Sequence, residues 1–99
     1  MEKLTMDMVL NYKNKAEFLF NYANKLGKRL SKEYEDIILT DPYYTLRYAI
    51  QVVKKRWKKG EIYLLLNENY LNNYMEQFQL TIYDIVKPLL SKEVKNELR

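Results

Sequence analysis

The residues able to do chemistry fall into three groups: a lysine and arginine run from Arg47 to Lys59, an acidic cluster at Glu33, Glu35 and Asp36, and ten tyrosines with one tryptophan. Grouped carboxylates can offer a metal oxygen ligands or pair for acid–base work. On a helix, however, Glu33 and Asp36 share a face and Glu35 does not, and acids in a first turn complement the helix dipole. The chain has no histidine and no cysteine. That removes the usual general base, the commonest nitrogen ligand, disulfides and thiolate metal sites. There is no glycine-rich phosphate loop and no glycine-flanked nucleophilic serine. The expectation is a protein that is not an enzyme, with no catalytic or metal-binding residues, no cofactor and no small-molecule substrate.

The basic run remains. Between Pro42 and Gly60 there are six basic residues and no acid, while the remainder of the chain is slightly acidic, so the formal net charge of +4 is locally placed. A local basic face points to an acidic partner more directly than a uniformly high pI does, although a charged helix face can also simply be solvated. The candidate partner-binding residues are Arg47, Lys54, Lys55, Lys58 and Lys59, with Lys25 and Lys28 at the places of Gln51 and Lys54 one repeat upstream. The partner class is an acidic protein or nucleic acid. No base-reading motif is present, so nucleic acid would be held without sequence preference and with strong salt dependence. Aromatic rings between lysines can stack on bases. Here the spacing of Trp57 from Leu46 places it on a core stripe, and most tyrosines read as core with their hydroxyls reaching the surface. Tyr43 is the exposed exception and joins the candidate set.

These side chains need positioning elements. Asp41 followed by Pro42 is a strong helix start: the carboxylate accepts an orphan amide, and proline at the first helical position loses nothing it needed. The spacing predicts one helix from there to about Lys58, closed by Gly60. Leu46, Ala49, Ile50, Val53 and Trp57 fall on one face, Tyr44, Tyr48 and Val52 nearly opposite, and Arg47, Gln51, Lys54 and Lys58 in the narrow sector left for water, with Lys55 and Lys59 at its edges. Arg56 falls beside Ala49 and Val52 and therefore needs a carboxylate, for which Glu61 is the partner; Glu35 serves Arg29 in the same way.

A 26-residue period organises the chain. Tyr22-Ala23, Tyr48-Ala49 and Tyr74-Met75 are in register, as are Phe18, Tyr44 and Tyr70, and Leu26, Val52 and Phe78. Caps predict further helices over about Met6 to Lys13 behind Thr5 and from Asn14 to Leu26 with Gly27 ending it, or one unbroken helix across both, and over Lys32 to Leu39 behind Ser31. Beyond the central helix come a short turn or helix from Glu61 to Leu66, Glu68 to Gln79, Ile82 to Lys87 behind Thr81, a kink or restart at Pro88, and a last segment from Lys92 to Arg99 behind Ser91. Two glycines and two prolines leave little material for hairpins. The fold expected is all-α, a single domain formed as a compact stack of short helices from about three 26-residue repeats. The opening MEKLTMDMVL lacks an apolar leader, and the longest apolar run, Ile62 to Leu66, is too short for a bilayer; the reading is cytoplasmic, without a membrane partner. Outer copies without caps leave homo-oligomers open.

The pattern Asp41, Pro42, Tyr44, Tyr48, Ala49, Val52, Arg56, Trp57, Gly60 and Glu61 resembles a short helical repeat of bacteriophage and bacterial proteins, mostly of unassigned function. Members typically carry glycine before the arginine and Pro-Glu after the tryptophan, where this chain has Lys55, Lys58 and Lys59. The first copy has Leu30 in place of tryptophan, and the third lacks the Arg-Trp pair. The resemblance implies a fold rather than an activity. By association it implies inhibition of a host or defence protein by a small phage-type protein; the lack of catalytic groups and the use of helical stacks as binding surfaces make a non-catalytic protein-binding module acting through the basic helical face the expected function.

Overall fold

The computed structural model describes residues 3–97, with side chains through residue 90. Among the described residues there are seven α-helices and no strand: α1 (Met6–Leu10), α2 (Lys15–Leu26), α3 (Lys32–Ile38), α4 (Pro42–Tyr48), α5 (Lys58–Leu64), α6 (Glu68–Phe78) and α7 (Ile82–Glu97). Local chemistry accounts for most of the starts. Thr5 Oγ1 accepts the Met8 amide at 3.3 Å, and Asn14 Oδ1 accepts the Glu17 amide at 3.0 Å. Asp41 Oδ1 accepts from Tyr43 at 3.0 Å with Pro42 at the first helical position. Thr81 and Asp84 form a reciprocal capping pair, each side chain accepting from the other's amide.

The central helix differs from the sequence reading. Instead of running to Lys58, α4 passes into a π-helical turn over Ala49–Val53 and stops at Lys54, which is left-handed at φ 61° and donates its amide to the Ala49 carbonyl at 2.8 Å. Residues 55–57 then lead into α5. Gly60 therefore closes nothing; it lies buried inside α5, where an added methyl would sit 2.8 Å from Trp57 Cε3 and 3.1 Å from Thr45 Cγ2. The apolar spacing ran on through Trp57 because the next element buries that ring against the same core.

Other ends also moved. α1 stops at Leu10 rather than Lys13, and α5 begins at Lys58 rather than Glu61. Helix α7 continues through Pro88, so Ser91 starts no segment of its own; Arg99, the expected end of that segment, lies outside the described residues.

The short helices α1, α3 and α5 begin 26 residues apart, and α2, the π-helical turn that continues α4, and α6 each end on a left-handed residue, Gly27, Lys54 and Gln79. One apolar cluster runs from Val9 to Ile85 through Leu19, Phe20, Ile38, Tyr48, Trp57, Leu64 and Tyr74. The fold is all-α and stacked, about 49 × 31 × 21 Å. No helix among the described residues is long and apolar enough to cross a membrane.

Candidate functional site

Two polar ties fix the turns that carry the basic residues. In the first, Arg29 grips Glu35 through Nε and Nη2 at 2.9 and 3.0 Å, the Tyr48 hydroxyl donates to Glu35 Oε2 at 2.7 Å, and the Leu30 amide donates to that hydroxyl at 2.8 Å. In the second, Arg56 grips Glu61 at 2.7 and 3.1 Å, the Tyr74 hydroxyl donates to Glu61 Oε2 at 2.5 Å, and the Trp57 amide donates to that hydroxyl at 2.8 Å. Each tie joins a turn, the following short helix and the next long helix. Burial, followed by the hydrogen bond to the carboxylate, pushes the Tyr48 and Tyr74 hydroxyls well above their ordinary pKa. The carboxylate raises each arginine further above its ordinary value.

The Arg–Glu pairings follow the sequence reading; the hydroxyls do not. Tyr48 and Tyr74 are fully buried and turn inward to the glutamates rather than to solvent. The available signal was the identical separation of 13 residues between glutamate and tyrosine in both copies. Pro88 also has a role that sequence reading missed. Proline cannot donate the helical amide to the residue four before it, here Asp84. Arg56 Nη2 takes that place, donating to the Asp84 carbonyl at 2.6 Å.

The basic residues do not share one helix. Arg47 sits on α4, Lys54 is the left-handed stop, Lys55 lies in the turn, and Lys58 and Lys59 open α5. The wheel that grouped them ends at Lys54. They lie instead around two neighbouring turns: Lys25 and Lys28 flank the stop of α2 at Gly27, Lys54 and Lys55 lie at the stop that follows α4, and Lys58 opens α5. The turns adjoin, since the Arg29 guanidinium lies 6.0 Å from the Trp57 ring centre and Asp36 of α3 binds both Lys32, at 3.1 Å, and Lys59. Those two lysines, Lys59 first, hold the Asp36 carboxyl below the usual range. Lys25, Lys28, Lys54, Lys55 and Lys58 are exposed and form no ion pair with another described residue.

Arg47 belongs to a different grouping. Its guanidinium lies 4.6 Å over the Phe20 ring and 5.6 Å over Tyr43, and it donates to the Tyr43 hydroxyl at 3.4 Å. Tyr43 is exposed as expected, its ring edge-on to Tyr44 at 4.9 Å and 6.0 Å from Tyr70. The structure thus brings Arg47 to Tyr43 and assembles the lysines separately. Of the acidic cluster, Glu35 is locked in a tie and Asp36 in lysine pairs. No group of three or more His, Cys, Asp or Glu among the described residues is placed to hold a metal. No protein-family model matches this chain, and no significant match emerges among curated proteins or solved structures.

Proposed function

We propose that this protein is a non-catalytic binding module whose two-turn basic edge docks an acidic surface of another protein. The observation that carries the reading is that five exposed lysines, with no carboxylate partner among the described residues, lie on or beside two turns whose positions are pinned by the Arg–Glu–Tyr ties. Fixed charge of one sign steers and orients an oppositely charged partner without reordering the backbone. The likeness to a phage-type repeat makes a host or defence protein the partner class, with inhibition as the effect. The test is capture from host lysate by the wild-type chain and by a Lys54→Glu, Lys55→Glu double variant. One stoichiometric partner retained by the first and lost by the second is the expected result; equal capture by both overturns the role of the edge.

A second reading, nucleic acid, draws on exposed lysines on two neighbouring turns, Lys28 and Lys54 being one 26-residue period apart, which could neutralise several phosphates. Five phosphate contacts would give a log–log salt slope of about −4.5 on duplex DNA. A titration of duplex, single strand and structured RNA at low salt separates the two: no binding of any removes the nucleic-acid reading.

A further inference from the structure

We infer that the groove between α5 and the first half of α7 receives a bulky apolar side chain from the acidic segment that the basic edge docks. This rests on the protein-partner reading and adds the partner's chemistry. The groove has a volume of about 370 Å³ and is walled by Ile62, Ile85, Pro88 and Leu89, with Lys58 and Lys59 at its mouth. That volume is at the small end of ligand sites and accommodates one leucine or aromatic side chain with room to spare. Its one acid, Glu61, is committed to Arg56 and Tyr74, so its carboxylate neither seeks nor repels an incoming group. Pro88 contributes a ring and no amide donor, and Ile85 is buried beneath, so the wall offers almost nothing polar to satisfy.

Two observations select the occupant. Lys58 belongs both to this groove and to the lysine edge, so an apolar group seated here is within reach of the same charges. Ile62 and Leu90, each about half exposed at 52%, extend apolar surface from α5 and α7 into solvent. A wholly acidic ligand would leave that surface wet, and a wholly apolar one would leave Lys58 unanswered. An acidic segment with one large apolar residue answers both, in the manner of an anchor side chain surrounded by a charged rim.

The experiment uses three labelled peptides of equal length on the full chain at low salt: polyglutamate, the same peptide with one central leucine, and one with a central alanine. Burial of leucine predicts binding at least about tenfold tighter than the alanine peptide. The variant Ile62→Lys adds positive charge while removing an exposed apolar wall. It is expected to bind polyglutamate at least as well and to bring the leucine-to-alanine ratio close to one. Equal affinity of the leucine and alanine peptides for the wild type overturns the groove and leaves the basic edge standing. A tenfold ratio that persists in Ile62→Lys overturns this location. If no peptide binds, the basic-edge reading falls and the groove inference falls with it.

Discussion

The two Arg–Glu–Tyr ties share a hydrogen-bond pattern and differ in what surrounds it. Around Glu35, the arginine is 43% exposed and its guanidinium lies over the Trp57 ring, 6.0 Å from its centre; around Glu61, it is 28% exposed and also holds the Asp84 carbonyl. The residue beside the arginine is half-buried Leu30 in the first and buried Trp57 in the second. The residue before the glutamate is Tyr34 in the first and Gly60 in the second. That exchange is reciprocal, since the indole occupies the space a side chain at 60 would need. The difference teaches that the polar tie is the repeated unit, while packing around it is adjusted by compensating large and small residues. It also identifies the second tie as the mechanical centre, because it binds α5, α6 and α7 together.

The largest expected effect tests that asymmetry directly. Trp57→Ala removes a buried ring that packs 5.1 Å from Tyr48 and is expected to cost about 3–5 kcal/mol. Leu30→Ala, half-buried, should cost well under half of that. Urea denaturation of both variants measures the difference, and equal losses would erase the distinction between the two surroundings.

Removing an arginine comes next. Arg56→Met leaves the buried Glu61 carboxylate with Tyr74 alone and the Asp84 carbonyl without its donor, an expected loss of about 3 kcal/mol or more. Arg29→Met likewise leaves Glu35 with Tyr48, but Arg29 is the more exposed arginine and holds no further carbonyl, and screening there reduces the expected loss to about 1 kcal/mol. A double variant Arg56→Met, Pro88→Ala should recover part of the first loss, because alanine returns an amide to the Asp84 carbonyl. No recovery would mean that Glu61 alone sets the cost.

How much of this was legible depends on whether the signal was local. Helix starts at Asn14 and Asp41 and the stop at Gly27 were readable because a side chain or a missing Cβ acts within a few residues. The Arg56–Glu61 and Arg29–Glu35 pairs were readable because an arginine on an apolar face demands a nearby carboxylate. The break after Val53 was not, because a lysine in a left-handed conformation carries no sequence mark and the apolar rhythm continued across it. The inward tyrosines were hidden for a different reason: a phenol can turn either way, and only the tertiary placement of the glutamates decides. For the candidate site, exposure was legible and geometry was not: Lys25, Lys28, Lys54, Lys55 and Lys58 are exposed, but they lie around two turns rather than on one helix face.

The hydroxyls offer a smaller and more even test. Tyr48→Phe and Tyr74→Phe each strip a donor from a buried glutamate and an acceptor from a backbone amide, for an expected loss of about 1–3 kcal/mol. They also set the alkaline limit. Both hydroxyls have their pKa raised in the folded state, burial being the first cause, so the native chain keeps those protons after the unfolded chain releases them near pH 10. Their contribution is therefore complete below about pH 10 and declines as pH rises beyond it. Urea midpoints between pH 8 and 11.5 should fall above pH 10 in the wild type and fall less steeply in either phenylalanine variant. An unchanged slope would place that limit in other groups.

The smallest effect separates stability from binding. Three long helices stop on left-handed residues, but only Gly27 is the residue that backbone favours; Lys54 and Gln79 bear a steric cost there. Lys54→Gly and Gln79→Gly should each raise stability by about 0.5–1 kcal/mol, the relief of that cost less glycine's larger unfolded-state entropy. The two then part company. Gln79 carries no charge, so its replacement should leave polyglutamate binding and its salt dependence unchanged. Lys54→Gly removes one of the five lysines of the proposed basic edge and should weaken that binding and make it less salt-sensitive, even though the fold is firmer. A Lys54→Gly chain that is more stable and binds as before would show that the lysine at this stop serves neither the fold nor the acidic partner. The basic edge would then have to rest on Lys25, Lys28, Lys55 and Lys58.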